Sequence, residues 1–286
     1  MLDEILDFLS NDLFYGPFFV LAKSIWQWAM GICTGLLTTT PERFSSSAWD
    51  FTTQTLYPWA LGIGITLTNI FLLIGICRIA SNLKENITLE LFVELMIRVV
   101  ALNVALQLGL TVIRTIFEMT AALAGQVMNF EDMNFYTSNS DIGSHLFWWL
   151  FGFGYFLVAL ICAIMIILTI YGRYIKLYVL IVLYPLGMST IAGGRGIDMT
   201  AHAWIKTFLS NTLEIVIIAL VMSIASRLIG SVNMPELPAV EWFDGAASAI
   251  HSILGMVLMT VSVKSAGAFL NLSLIHISEP TRLALI

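Results

Sequence analysis

Charge is scarce in this sequence: Asp, Glu, Lys and Arg make up 11% of its 286 residues, against about 25% in an average soluble domain. A water-exposed globule of this length needs more polar surface than that to cover its core, so lipid must supply the outer solvent. Basic residues are short as well. The formal net charge is −6, and there is no run of Lys or Arg of the kind that marks nucleic-acid binding, so contact with DNA is not argued from charge. Cysteine is limited to Cys33, Cys77 and Cys162. They stand far apart in apolar surroundings without the paired spacing of a metal site or disulfide framework, and read as packing residues. The opening MLDEILDF carries Asp3, Glu4 and Asp7 where a secretory signal carries Lys or Arg, so it does not read as a cleavable signal peptide. No internal repeat or low-complexity tract is visible.

What the sequence does have is long uncharged runs. A hydrocarbon core about 30 Å thick needs about 20 apolar residues at 1.5 Å rise each. Residues 58–77 give 20 before Arg78, and residues 146–172 give 27 before Arg173, opening with FWWLFGFGYF, a cluster suited to an interfacial aromatic belt. Residues 207–226 are apolar except for Glu214, and residues 246–263 except for His251. Residues 99–113 offer 15 between Arg98 and Arg114, whose side chains can snorkel to the headgroups and extend the reach. Residues 177–194 are uncharged but contain Tyr184, Pro185 and Gly187. Proline removes a helix hydrogen bond and disfavours helix in the residue before it, which predicts a break near Pro185.

The expected fold is therefore an all-α polytopic transmembrane bundle with about five spans, plus a broken re-entrant or interfacial segment near Pro185. Residues 14–33 are apolar but include Lys23, Gln27 and two glycines, so an interfacial amphipathic helix and a sixth span both fit. The expected domains are an N-terminal amphipathic region at 1–37 and a transmembrane helical domain at 38–271. The polar stretch 38–55 reads as a connector in which Ser47 caps a short helix beginning at Ala48. Residues 272–282, LSLIHISEPTR, resemble a translated sequencing-library adapter, so 272–286 is expected to be a non-native tail.

The positive-inside rule sets an orientation. If 177–194 enters and leaves on one side, the inside segments hold Arg78, Lys84, Arg98, Arg173, Lys176, Arg195, Lys206 and Lys264. The outside ones then hold Arg43, Arg114 and Arg227, eight against three. The loops 127–144 and 230–245, acidic through Glu131, Asp132, Asp141, Glu236, Glu241 and Asp244, fall outside. That places the N-terminus outside and the C-terminus in the cytoplasm.

Few residues suggest chemistry. A charge at mid-depth in a span costs about 2.5–3.5 kcal/mol on insertion scales, so Glu214 requires an explanation. Either it serves an ion or proton site, or it faces the bundle interior and pairs with a buried group such as Asn211 or an arginine of another helix. Asn69, Asn103 and Gln107 read as interhelical hydrogen-bond glue. Glu90, Glu94 and Arg98 share a helical face in a stripe of i,i+4 spacing. The AGGRG tract at 192–196 lacks the remainder of a phosphate loop and reads as a turn. His145, His202 and His251 have no metal-ligand spacing. No nucleophile–base arrangement emerges, and the chain does not read as an enzyme.

The order of features resembles the TrbL-like conjugal transfer proteins, polytopic plasma-membrane subunits of type IV secretion systems. The likeness runs over residues 38–264. It is carried by TTTPERF, by the span opening at Tyr57 and Pro58, by the acidic amphipathic ITLELFVELMIRVV, by LYVLIVLYPLGMSTIAGG and by AHAWIKTFLSNTLEIVIIALVMSIAS. The resemblance implies a structural subunit of a translocation channel in a mobile element's conjugation machinery, with no catalytic residues, nucleotide, cofactor or metal of its own. Its implied partners are other secretion subunits, separate ATPases and membrane lipid in an oligomeric complex, with DNA reached only through that complex. The rival reading is a secondary transporter or small channel with its site at the broken segment near Pro185 and at Glu214.

Overall fold

A computed structural model describes residues 17–81, 89–129, 142–193, 198–231 and 244–278. The elements, in order, are α1 (Pro17–Leu37), α2 (Pro41–Phe44), α3 (Ser46–Asp50), a π-helical turn (Phe51–Leu56) and α4 (Tyr57–Ser81). They continue with α5 (Leu89–Val127), α6 (Ile142–Ser189), a 3-10 turn (Thr190–Gly193), α7 (Met199–Ser231) and α8 (Asp244–Ser278). The described residues are all helix and short connections, as the uncharged runs predict. Helix closes every backbone hydrogen bond within one segment, which is what a lipid environment demands.

Five helical stretches are long and apolar enough to cross a membrane: Ser46–Cys77, Met96–Val127, Trp149–Gly193, Met199–Ile229 and Ile250–Gly267. Each contains or overlaps one of the five spans expected from the sequence. Their outward side chains are as apolar as their inward ones: Leu150 is 74% exposed, and Trp59, Ile97 and Leu168 are each 63% exposed. Apolar surface of this extent belongs against lipid acyl chains. The chain is a multi-pass helical membrane protein.

Two local expectations are corrected. The short helix that opens the first of these stretches begins at Ser46, and its cap is Ser45 rather than Ser47. The Ser45 hydroxyl accepts from the Ala48 N–H at 3.3 Å, satisfying a first-turn donor. The break near Pro185 is also absent: α6 stays helical through Pro185 to Ser189. The 146–172 run and residues 177–189 of the next thus form one helix, and Arg173 and Lys176 lie inside it instead of in a loop. At 1.5 Å per residue its 48 residues extend about 72 Å, more than twice the hydrocarbon thickness. The acidic loop residues at 130–141 and 232–243, Gly194 to Gly196 of the AGGRG tract, and residues 279–286 lie outside the described residues, as do the side chains of Glu90, Glu94 and His145.

The chain divides into two compact units, one of Met1–Thr38, Leu123–Gly172 and Val216–Phe269, the other of Thr39–Ala122, Arg173–Ile215 and Leu270–Ile286. In the first, α1 buries Phe19, Ala22, Trp26, Ala29, Met30, Cys33, Leu36 and Leu37, a three-to-four-residue repeat that puts one face inward. That face meets the aromatic cluster of α6. Phe18 sets its edge on Phe153 with ring centroids 5.4 Å apart, and Phe19 lies 5.3 Å from Tyr155. The cluster expected at a headgroup belt therefore also anchors α1. Ser223 of α7 accepts from the Asn129 N–H at 3.1 Å and lies 3.1 Å from the Val127 carbonyl, serving backbone groups just past the end of α5.

Candidate functional site

In the second unit, the residues around Pro185 form the meeting point of four helices. Proline has no N–H, so the Ile181 carbonyl one turn earlier loses its helix donor and the ladder loosens there. The Trp204 indole of α7 donates to the neighbouring Leu180 carbonyl at 3.0 Å, a side-chain contact at the weakened turn. The hydroxyl of Tyr184, next to the proline, donates to the Ala105 carbonyl of α5 at 2.7 Å, while Tyr57 of α4 donates to the adjacent Leu106 carbonyl at 3.1 Å. Trp204 stands edge-on to Tyr184 and stacks on Phe208, both at 5.0 Å between centroids.

Two glycines make this packing possible. A Cβ on Gly64 would lie 2.8 Å from both the Cβ and the carbonyl oxygen of Pro185. A Cβ on Gly109 would lie 2.0 Å from the Tyr184 ring. Side chains at either place collide with α6, so α4 and α5 reach it only because both residues are glycine. Pro185 is therefore buried at a helix contact, and the unwound binding segment expected there does not form.

Glu214 is buried on α7, at 9% exposure, and its carboxylate pairs directly with the Arg173 guanidinium of α6, which is 5% exposed. Of the partners expected, the arginine of another helix is the one found. Asn211 does not take part: its amide donates to the Thr207 carbonyl of its own helix at 2.7 Å. The Arg173 Nη1 is buried and has no hydrogen-bond partner among the described residues. Burying either charge alone in this environment is costly, so each residue accounts for the other's presence.

One group that sequence reasoning missed joins the connector to α6. Tyr174 donates to the Thr39 carbonyl at 2.8 Å and Tyr178 to the Pro41 carbonyl at 2.7 Å, and Phe44 packs on the Tyr174 ring at 4.4 Å. Thr40 caps α2 by accepting from the Arg43 N–H at 3.4 Å. Glu42 meets Arg114 in a two-pronged ion pair at 2.9 and 3.1 Å, with the guanidinium 5.6 Å from the Trp49 ring centroid. The i,i+4 spacing of Tyr174 and Tyr178 was the available signal. Arg173 and Lys176, two charges within four residues, mask it by giving that stretch the look of a loop.

Among the described residues, no three His, Cys, Asp or Glu side chains come together as metal ligands. His202 is exposed and faces the Asp198 carbonyl at 3.0 Å, and His251 is half-buried in α8. Cys33 and Cys162 are buried, as packing residues should be, whereas Cys77 is exposed on α4. What the site offers is helix-to-helix fastening. The chain matches no family model, no curated protein and no solved structure.

Proposed function

We propose that this chain is an integral membrane channel or scaffold subunit of a conjugative type IV secretion system, supporting transfer of DNA or protein without catalysing a reaction. The observation that carries the reading is the order of features over residues 38–264, from TTTPERF to the helix bearing Glu214, which resembles the TrbL-like proteins. The geometry agrees in kind. In the second unit Tyr57, Tyr184, Arg173 and Glu214 are all engaged in joining helices. A secondary transporter would bind solute at an unwound segment, but α6 remains helical through Pro185, which favours the structural reading. On this proposal the protein resides in the plasma membrane with its N-terminus outside and its C-terminus cytoplasmic, beside other secretion subunits and the ATPases that energise them.

Deleting the gene from its mobile element should abolish conjugative transfer while DNA nicking by the element's relaxase continues, because a channel subunit acts after DNA processing. Detergent extracts should yield the protein together with other secretion subunits. Unchanged transfer frequency in a clean deletion rules the role out, and solute uptake lost in the same strain would favour the transporter.

A further inference from the structure

The stretch of α5 able to cross a membrane, Met96–Val127, is 32 residues long, and the hydrocarbon layer takes up about 20 of them. Laid from residue 96 at one extreme or up to residue 127 at the other, that layer always takes in residues 108–115. Thr111 and Arg114 are therefore inside it. Both are exposed, and they share one line of the helix with exposed Gln107 and Glu118. At about 100° per residue all four fall within about 60° of arc. The Gln107 amide, expected to tie helices together, and the Glu118 carboxylate make no hydrogen bond or ion pair among the described residues.

Arg114 does not reach along the helix for a headgroup. Its guanidinium is held by Glu42 and stands 5.6 Å from the Trp49 ring centroid, and the two side chains of the ion pair are 48% and 41% exposed. Charged residues within spans face either the interior of a bundle or water, and this pair is open to the outside of its unit. The exposed side chains of α6 over residues 149–168 are, by contrast, apolar throughout, as acyl chains require.

We infer that the line Gln107–Thr111–Arg114–Glu118 borders a water-filled vestibule within the membrane, a passage for water and small hydrophilic ions. A second wall adjoins it. Asp50 and Gln54 are exposed, joined by a hydrogen bond of 3.3 Å, and stand beside Trp49, the ring that Arg114 overlies. The vestibule opens towards the C-terminal end of α5 and closes at Gln107, because Val104 and Val100, one and two turns earlier, are apolar and 50% and 62% exposed. Val112 and Met119, 54% and 53% exposed, lie about 160° and 140° round the helix from Arg114 and meet lipid. This inference rests on the membrane reading of the fold and holds whichever machinery the chain serves.

Cysteine scanning with a charged, water-soluble methanethiosulfonate reagent, in isolated membranes open on both faces, tests it. In a background with Cys33, Cys77 and Cys162 replaced by serine, Gln107→Cys, Thr111→Cys and Glu118→Cys should react at least about tenfold faster than Val112→Cys and Met119→Cys. The thiolate is the reacting form, and each unit by which apolar surroundings raise a thiol pKa lowers its thiolate fraction about tenfold. Val104→Cys should join the slow group. Thr111 and Val112 are neighbours in sequence, so a fold disturbed at this turn raises both alike and cannot produce the contrast. Equally slow reaction at every position would show that lipid or another polypeptide covers the line, and equally fast reaction that this part of α5 stands outside the bilayer; either overturns the inference.

Discussion

Arg173 and Glu214 show how much a single charge depends on its partner. Replacing Glu214 with Leu strands a buried guanidinium whose Nη1 already lacks an acceptor among the described residues, and breaking such a pair costs about 3–5 kcal/mol. Thermal unfolding in detergent should therefore show Glu214→Leu strongly destabilised. The double change Arg173→Met with Glu214→Leu should recover most of the loss, because apolar replacements of a buried pair are often neutral. Glu214→Gln should fall between, keeping a hydrogen-bond acceptor for the arginine. Loss of function in Glu214→Gln with stability and assembly intact would turn the account towards proton or ion coupling. Gly109 is the steric counterpart: Gly109→Val puts carbon atoms into the Tyr184 ring and should cost about 1–3 kcal/mol in the same measurement. That Glu214 needed a partner was readable from composition alone, since few charges occur in the run around it. That the partner is Arg173 was not readable, because an arginine at the end of a 27-residue apolar run looks like the start of a loop.

Among the elements, α6 departs furthest from what its sequence suggests. Local chemistry at Pro185 argues for a break, but neighbours distant in sequence hold this turn in place: the Trp204 indole on the Leu180 carbonyl and the close approach at Gly64. Periodicity cannot reveal such contacts, whereas the helices without proline were visible from run length. Pro185→Ala should leave the fold intact, since alanine restores a donor for Ile181 and keeps the Cβ beside Gly64; Gly64→Leu should not. The two bring opposite changes in detergent melting temperature. The connector makes a second test at this scale. Its carbonyls at Thr39 and Pro41 are held by Tyr174 and Tyr178, and Arg43 between them and α3 is exposed. Tyr178→Phe removes one of the two hydrogen bonds, each worth about 1 kcal/mol. Trypsin should then cut after Arg43 several times faster than in the parent protein. An unchanged cleavage rate would show that the connector is held by the Phe44 and Arg114 contacts instead.

For the whole molecule, the number of crossings was legible because hydrophobic length is a local property, with one value for each stretch of chain. Joining 146–172 to residues 177–189 in one helix leaves the expected sides of the flanking loops unchanged. Whether α6 turned back or ran straight, the turn before α7 falls on the same side as Arg195. The orientation is therefore testable with the same loops. In a cysteine-free background, cysteines at Ser138 and Ala239 should react with an impermeant thiol reagent in intact cells, while one at exposed His202 should react only after permeabilisation. Ala201, its neighbour, is fully buried and unsuitable as a probe. Labelling at His202 in intact cells would reverse the orientation.

The pairing of Arg173 with Glu214 also constrains how the chain is made. The two residues are 41 positions apart, so at about 5–20 residues per second the arginine emerges from the ribosome roughly 2–8 seconds before its counter-charge. During that interval α6 carries, at the end of its 27-residue apolar run, a cation without its counter-charge. That run is long enough to enter the bilayer by itself, so the pair closes only once α7 arrives beside an α6 already inserted. A ribosome stalled between the two codons should therefore already leave α6 resistant to extraction from the membrane.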